Sequence, residues 1–305
     1  MTTPAALTAT ALGKRYRGHW GLRDCSLEIP AGRISALVGP NGAGKTTLLH
    51  LATGLLAPTA GTIETLGRTP GEDPDLLPRI GFMAQDVPLY RSFRVREMLE
   101  FGRRTNPGRW DAELAQGRMD RASIDLDQRA GTLSGGQRAQ VALALALAKR
   151  PELLLLDEPL AALDPLARRE FLKALMEGAV DGEVTVVLSS HLLTDLERVC
   201  DHLVVLSGGR TQVAGDIEGL LEAHRVLTGP RRDVDRIEGV AAVVQQATTD
   251  RQSTLLVRTD GPIIDPAWSV HRVDLEELVL GYLGQPNATA LPAPRLARTG
   301  AEVSR

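Results

Sequence analysis

Nine consecutive residues carry the first piece of chemistry. Gly39-Pro40-Asn41-Gly42-Ala43-Gly44-Lys45-Thr46-Thr47 satisfies the spacing G-x-x-x-x-G-K-[ST]. Glycines let successive backbone N–H groups curl around phosphate oxygens, and a following helix adds unsatisfied N–H groups and a positive dipole end. Lys45 brings a point charge to the β- and γ-phosphates, and the Thr46 hydroxyl can ligate Mg²⁺. A glycine turn ahead of an ordinary helix would need neither residue. Lysine is also scarce here: of 35 basic residues only Lys14, Lys45, Lys149 and Lys173 are lysine.

Two further groups extend that chemistry. In Leu153–Glu158 (LLLLDE) an apolar run ends in two carboxylates, where open α/β sheets place ligands. Asp157 is positioned to hold Mg²⁺, directly or through water, and Glu158 to orient or deprotonate an attacking water. Leu133-Ser134-Gly135-Gly136-Gln137 is a second anion-binding pattern, with Ser134 at an N-cap-like position and two glycines exposing N–H groups at a helix start. A plain capped helix would use the same residues.

The elements that must position these residues are legible in part. Ile34–Val38, Leu153–Leu156, Val184–Leu188 and Leu203–Leu206 are short apolar runs of the kind that form parallel strands buried on both faces. Gly208–Gly209 turns the last of them into Arg210–Ala214 as a hairpin. Leu7–Leu12 and Cys25–Ile29 are strand-like, separated by a polar turn containing Tyr16 and Trp20. Between Pro88 and Ser134 the pattern is helical: Val95, Met98, Leu99 and Gly102 share one face, and Pro107–Gly108 breaks the run. Val141–Ala148 (VALALALA) alternates like a strand, yet Leu with Ala is strong helix composition, and Lys149-Arg150-Pro151 reads as a helix end. We expect a buried helix there. Beyond about Leu221 the pattern predicts a small α/β unit, with Ile237–Gln245 helical, Thr254–Arg258 a strand and Leu275–Leu283 helical. From Gln285 the absence of a periodic apolar face predicts disorder.

Composition bounds the rest. The chain has 305 residues, 43% hydrophobic and 24% charged, close to globular averages. A net charge of −3 argues against attachment to nucleic acid by bulk charge. The longest stretch free of charged residues, Thr46 to Ile63, is interrupted by His50, Gly54, Pro58 and Gly61, and does not suit a membrane span. Cys25 and Cys200 are the only cysteines, too few for a disulfide framework or a thiolate metal site.

With Leu133–Gln137 in place, the sequence resembles the nucleotide-binding subunit of ATP-binding cassette (ABC) transporters over roughly residues 5 to 218. In family order it shows Tyr16, Gly39–Thr47, Gln85 in FMAQD, Leu133–Gln137, LLLLDE, Leu163–Asp164 in LAALDP and His191 in LSSH. The resemblance implies an α/β fold: a P-loop NTPase core with a mainly parallel sheet, an N-terminal antiparallel β subdomain and a helical insertion at about 87–148. The cassette would occupy residues 1–218, the small C-terminal α/β unit 219–284, and a disordered tail 285–305. It implies an ATPase using ATP and Mg²⁺. Tyr16 would stack on adenine, with Trp20 a rival. Gln85 would sense the metal and the attacking water and link the site to the insertion, and His191 would hydrogen-bond the γ-phosphate. Ser134, Gly135, Gly136 and Gln137 would close on ATP held by a second protomer. Asp164 would lie at that contact, although Asp164-Pro165 is also an N-cap and N1 pair. The implied partners are an integral membrane permease subunit and a second ATPase protomer, most simply an identical copy. The implied location is cytoplasmic, peripheral on the inner face of the cell membrane. Asp274–Leu283 (DLEELVLGYL) resembles the ending of export-type subunits, and equally suits an amphipathic helix packed on its own domain. The alternative is a soluble ABC-type ATPase acting on ribosomes or DNA; the single phosphate loop and the absence of heptads weigh against it.

Overall fold

The computed structural model describes residues 5–179, 184–191, 193, 196–231 and 237–291. The chain opens with two long antiparallel strands, β1 (Ala5–Tyr16) and β2 (His19–Pro30). The turn between them shrinks to Arg17 and Gly18, both at positive φ, so Tyr16 ends one strand and Trp20 lies within the next. The expected wider polar turn is therefore corrected. β1 also pairs with β4 (Ala60–Thr65), completing a three-stranded antiparallel sheet.

The central sheet has six strands in the order β5 (Ile80–Met83), β6 (Leu153–Leu156), β7 (Thr185–Ser190), β3 (Ile34–Val38), β8 (His202–Ser207) and β9 (Arg210–Asp216). All pairings are parallel except the β8–β9 hairpin. The apolar runs are continuous because both faces are buried. Within β6, Leu154 and Leu156 enter one core with Val186, Leu188 and Phe171, while Leu153 and Leu155 enter another with Leu37, Val187 and Leu48. Helix α1 (Lys45–Thr53) covers the second face; α4 (Gly135–Ala148) and α5 (Pro165–Gly178) pack on the first.

Between β5 and α4 lie α2 (Val95–Thr105) and α3 (Ala112–Arg121), which share a core of Val95, Met119 and Leu133 with Val141 and Ala144 of α4. The alternating Leu/Ala run is helical, as its composition predicted. Lys149 ends it as C-cap, but its ammonium donates to the carbonyls of Leu77 and Ile80 (2.8 Å each) and so ties the helix to the start of β5.

After the short α6 (Ile217–Glu222) comes a four-stranded antiparallel sheet, ordered β11 (Val240–Thr248), β12 (Gln252–Thr259), β10 (His224–Pro230) and β13 (Ser269–Arg272), followed by α7 (Leu275–Leu283). The helix expected at Ile237–Gln245 is not formed: Val240–Thr248 is an edge strand. Register shifts between Val240 and Ala242 and between Val243 and Gln245 break its period of two, so the valines fall at a helix-like spacing. Val244, Leu256, Leu278 and Tyr282 join the same core as Val213 and Ile217, so this sheet is packed on the cassette. The disorder expected from Gln285 is also corrected for the first residues of that segment. Ala290 pairs with β9, donating to the Gln212 carbonyl (2.9 Å) and accepting from Ala214 N–H (3.0 Å). Residues 292–305 lie outside the described residues.

Both cysteines are buried and free. Burial pushes the Cys25 thiol up to about 11 and that of Cys200 up to about 12, so neither is poised as a thiolate. Among the described residues no helix is long and apolar enough to cross a membrane.

Candidate nucleotide site

The site forms at the carboxyl ends of β3, β5, β6 and β7. β3 is flanked by β7 and β8, so the loop leaving it sits where the connections part to either side. Gly42 and Gly44 adopt φ of +81° and +104°, a conformation that glycine enters without strain. A Cβ on Gly44 would also lie 2.6 Å from the Gly21 carbonyl. Gly44 is the N-cap of α1 and contributes no side-chain cap, leaving the first N–H groups of the helix open to a ligand.

Lys45 lies at the first position of α1 and is only 6% exposed. Its Nζ donates to the carbonyls of Gly39 (2.7 Å) and Pro40 (3.3 Å) and pairs with Glu158 Oε1 at 3.2 Å. The other oxygen, Glu158 Oε2, is 2.8 Å from His191 Nδ1. Asp157 and Glu158 follow β6 directly, Asp157 almost fully buried and Glu158 at positive φ. Ser189, from the end of β7, accepts the Glu158 N–H and donates to Asp157 Oδ1, both at 2.8 Å. Lys45, Asp157, Glu158 and His191, expected from sequence to act together, are thus linked in one network through Ser189. Sequence reasoning passed over Ser189. Its signal was a hydroxyl in an otherwise apolar run, VVLSSH, two residues before the histidine.

Three expected residues lie at the edges. Thr46 is exposed on the first turn of α1, and Gln85 is exposed just beyond β5, whose Met83 pairs with Leu156. Tyr16 reaches the loop: its hydroxyl is 3.5 Å from Thr47 Oγ1, and its ring lies against Gly21, where a Cβ would approach within 2.8 Å. Trp20 instead packs over Gly13 of β1. Hard oxygen donors suit Mg²⁺. Asp157 offers a carboxylate that already accepts from Ser189, and Thr46 offers a free-facing hydroxyl, so the donor set fits that ion.

Ser134–Gln137 stand apart from this network. Ser134 caps α4 with a complete capping box: its Oγ accepts from Gln137 N–H (3.1 Å), and its own N–H donates to Gln137 Oε1 (3.0 Å). With Ala162, Asp164 and Ala167 they line a depression of about 270 Å³ that none of Lys45, Glu158 or His191 lines. Asp164 is the N-cap of α5, accepting from Leu166 and Ala167 N–H at 3.0 Å each.

A glycine loop cradled between a buried parallel strand and a helix, with carboxylates closing the adjacent strand, defines a P-loop nucleoside triphosphatase. Comparison with known proteins narrows the class. The family model for ABC transporters matches residues 22–161. The chain is 34% identical over 240 residues to the uncharacterised ABC transporter ATP-binding protein YxlF of Bacillus subtilis, covering 76% of this chain and 78% of that one. It is 35% identical to the Nod factor export ATP-binding protein I of Rhizobium johnstonii, covering 72% of each. It is likewise 35% identical to the molybdenum import ATP-binding protein ModC of Rhodobacter capsulatus, covering 77% and 67%. Among solved structures, a dimeric cassette in a post-hydrolysis state with ADP and phosphate superposes with a TM-score of 0.61 at 25% identity, covering 69% of this chain and 98% of that one. The chain belongs to the ATP-binding proteins of ABC transporters and is an ATPase.

Proposed function

We propose that this chain powers a separate membrane permease, in the export direction, by dimerising around ATP. The observation that carries the reading is the separation of the two anion-binding poles. The lysine-bearing loop has its own buried network, while the Ser134 tip is exposed and lines a different depression. A second protomer placed head to tail would bring the two poles together on one triphosphate.

Within that arrangement Lys45 would exchange Glu158 for phosphate oxygens. Glu158 Oε1 would then be released toward water while His191 keeps hold of Oε2, so the base is oriented as it is freed. His191 would also meet the γ-phosphate. Asp157 and Thr46 would hold Mg²⁺, with Gln85 beside it; when bound, the ion neutralises charge along the phosphates. Tyr16, at the Thr47 side of the loop, would stack on adenine. Asp164 would face the partner protomer beside Ser134.

A permease contact is supported by the insertion that follows Gln85. Tyr90 and Phe101, both exposed, meet edge to face at 5.8 Å, and Phe93 stands 5.1 Å from Tyr90. Such a patch suits a peripheral location on the inner membrane face through a protein partner. Export rests on the likeness to the Nod factor export proteins, against which the molybdenum import relative stands.

The test is Glu158→Gln. Hydrolysis should fall by ~10²–10⁴-fold, the worth of a general base. With ATP the variant should elute as a dimer in size-exclusion chromatography with light scattering, and adding Ser134→Ala should return it to monomer. Hydrolysis at the parental rate would remove Glu158 from the role of base. A dimer indifferent to Ser134→Ala would remove the two-pole arrangement.

A further inference from the structure

A second polar cavity lies beside the Ser134 depression. It has a volume of about 420 Å³ and separates α3 of the insertion from α5 of the core. Ala122, Gln140 and Glu170 line both. Its wall contains Arg118 of α3, which is 6% exposed.

Burying a guanidinium is costly unless it is paired and hydrogen-bonded. Arg118 has no carboxylate partner among the described residues. Its Nη2 donates to the Ala174 carbonyl at 2.7 Å, near the C-terminal end of α5, where the helix dipole offsets part of the cost. Its Nε is buried with no hydrogen-bond partner. Burial, and then the charge of Arg121, lower its affinity for the proton. The position is nonetheless built for it: a Cβ on Gly178 would lie 2.7 Å from Nη2, so glycine there leaves the room the guanidinium occupies.

The other charges facing the cavity are Arg121, Lys173, Glu170 and Glu177. Arg121 pairs with Glu177 at 3.1 Å, and the charge of Glu177 also acts on Arg118, opposing the effect of burial. Lys173, one of four lysines in the chain, is exposed on α5, one turn from Glu170. Three cations thus converge on a cleft lined by two carboxylates, and one of those cations is almost fully buried. Ser123 and Gln140 add neutral hydrogen-bonding groups.

We propose that this cleft binds a phosphate group, as inorganic phosphate or a small phosphate monoester, between Arg118 and Lys173. The bound oxyanion bridges α3 to α5 and so braces the insertion against the core beside the Ser134 tip. The site is distinct from the lysine-bearing loop and lies beside the Ser134 tip.

The experiment is equilibrium dialysis with labelled inorganic phosphate. The chain is held at constant ionic strength and saturated with magnesium and a non-hydrolysable ATP analogue, so that the glycine loop is filled. One phosphate per chain should be retained at concentrations on the order of millimolar. Lys173→Gln, on an exposed surface, should weaken retention about tenfold, the loss of a hydrogen bond to a charged group. Arg118→Met should abolish it, with circular dichroism confirming the fold. Displacement by glycerol phosphate supports a monoester as the ligand, and its failure to displace supports free phosphate, the product of the chain's own hydrolysis. No retained phosphate, or retention unchanged by Lys173→Gln, overturns the proposal.

Discussion

The two glycine-rich helix starts, at Gly39–Thr47 and at Ser134–Gln137, use one residue type for opposite reasons. In the first loop Gly42 and Gly44 are needed for backbone conformation, with φ of +81° and +104°. In the second, Gly135 and Gly136 are helical, and close packing bears on only one of them: a Cβ on Gly136 would stand 3.0 Å from the Ala167 Cβ. Their electrostatics also differ. The first pole is a buried ion pair with a histidine and a serine behind it; the second is exposed and satisfied by its own capping box. One pole already holds charge in reserve, and the other offers only oriented dipoles. Under the proposed function, a single chain would carry one site prepared to take a triphosphate alone and one useful only once that triphosphate arrives from elsewhere.

The largest effect that could break this contrast is Lys45→Ala. It should abolish ATP binding to the isolated chain, measured by fluorescent-nucleotide titration, whereas Ser134→Ala should leave that binding unchanged. Equal losses from both would mean that the poles act within one chain.

A smaller effect is expected at Ser189. Replacing it with alanine strips the Asp157 carboxylate and the Glu158 N–H of a shared partner in a buried setting. We expect a loss of about 1–3 kcal/mol in urea unfolding, together with slower hydrolysis. Unchanged stability would show that the hydroxyl is dispensable to the network.

The finest distinction concerns the glycines. Gly42→Ala has open space for its methyl but the wrong backbone, and should cost about 1–2 kcal/mol. Gly136→Ala gains helix propensity of about 1 kcal/mol against a tight but not prohibitive contact, and should be close to neutral. The reverse order in urea titrations would overturn the two reasons assigned above.

Much of this was readable from residues. The loop, LLLLDE and the Ser134 cap announce themselves because each needs particular residue types at fixed spacing, and double burial makes the parallel strands continuous apolar runs. What escaped was set by tertiary contact. Ser189 matters through Asp157, 32 positions earlier in the chain, which no local pattern encodes. That Tyr16 lies against Thr47 and Trp20 over Gly13 follows only from the pairing of β1 with β2, which no local pattern encodes. Val240–Thr248 read as helical because its irregular register disguised alternation. Ala60–Thr65 and Ile80–Met83 are strands too short and mixed to declare themselves alone.

Ala290 lying along β9 gives the C-terminal sheet two anchors on the cassette, one entering through α6 and one leaving beside Gln212. The unit is consequently held like a parenthesis. Cutting the gene after residue 218 would remove the guest and also unzip the margin of the host's main sheet, baring the backbone groups that Ala290 now shields. A clean excision would splice Asp216 to the final strap across a short linker, keeping that margin sealed.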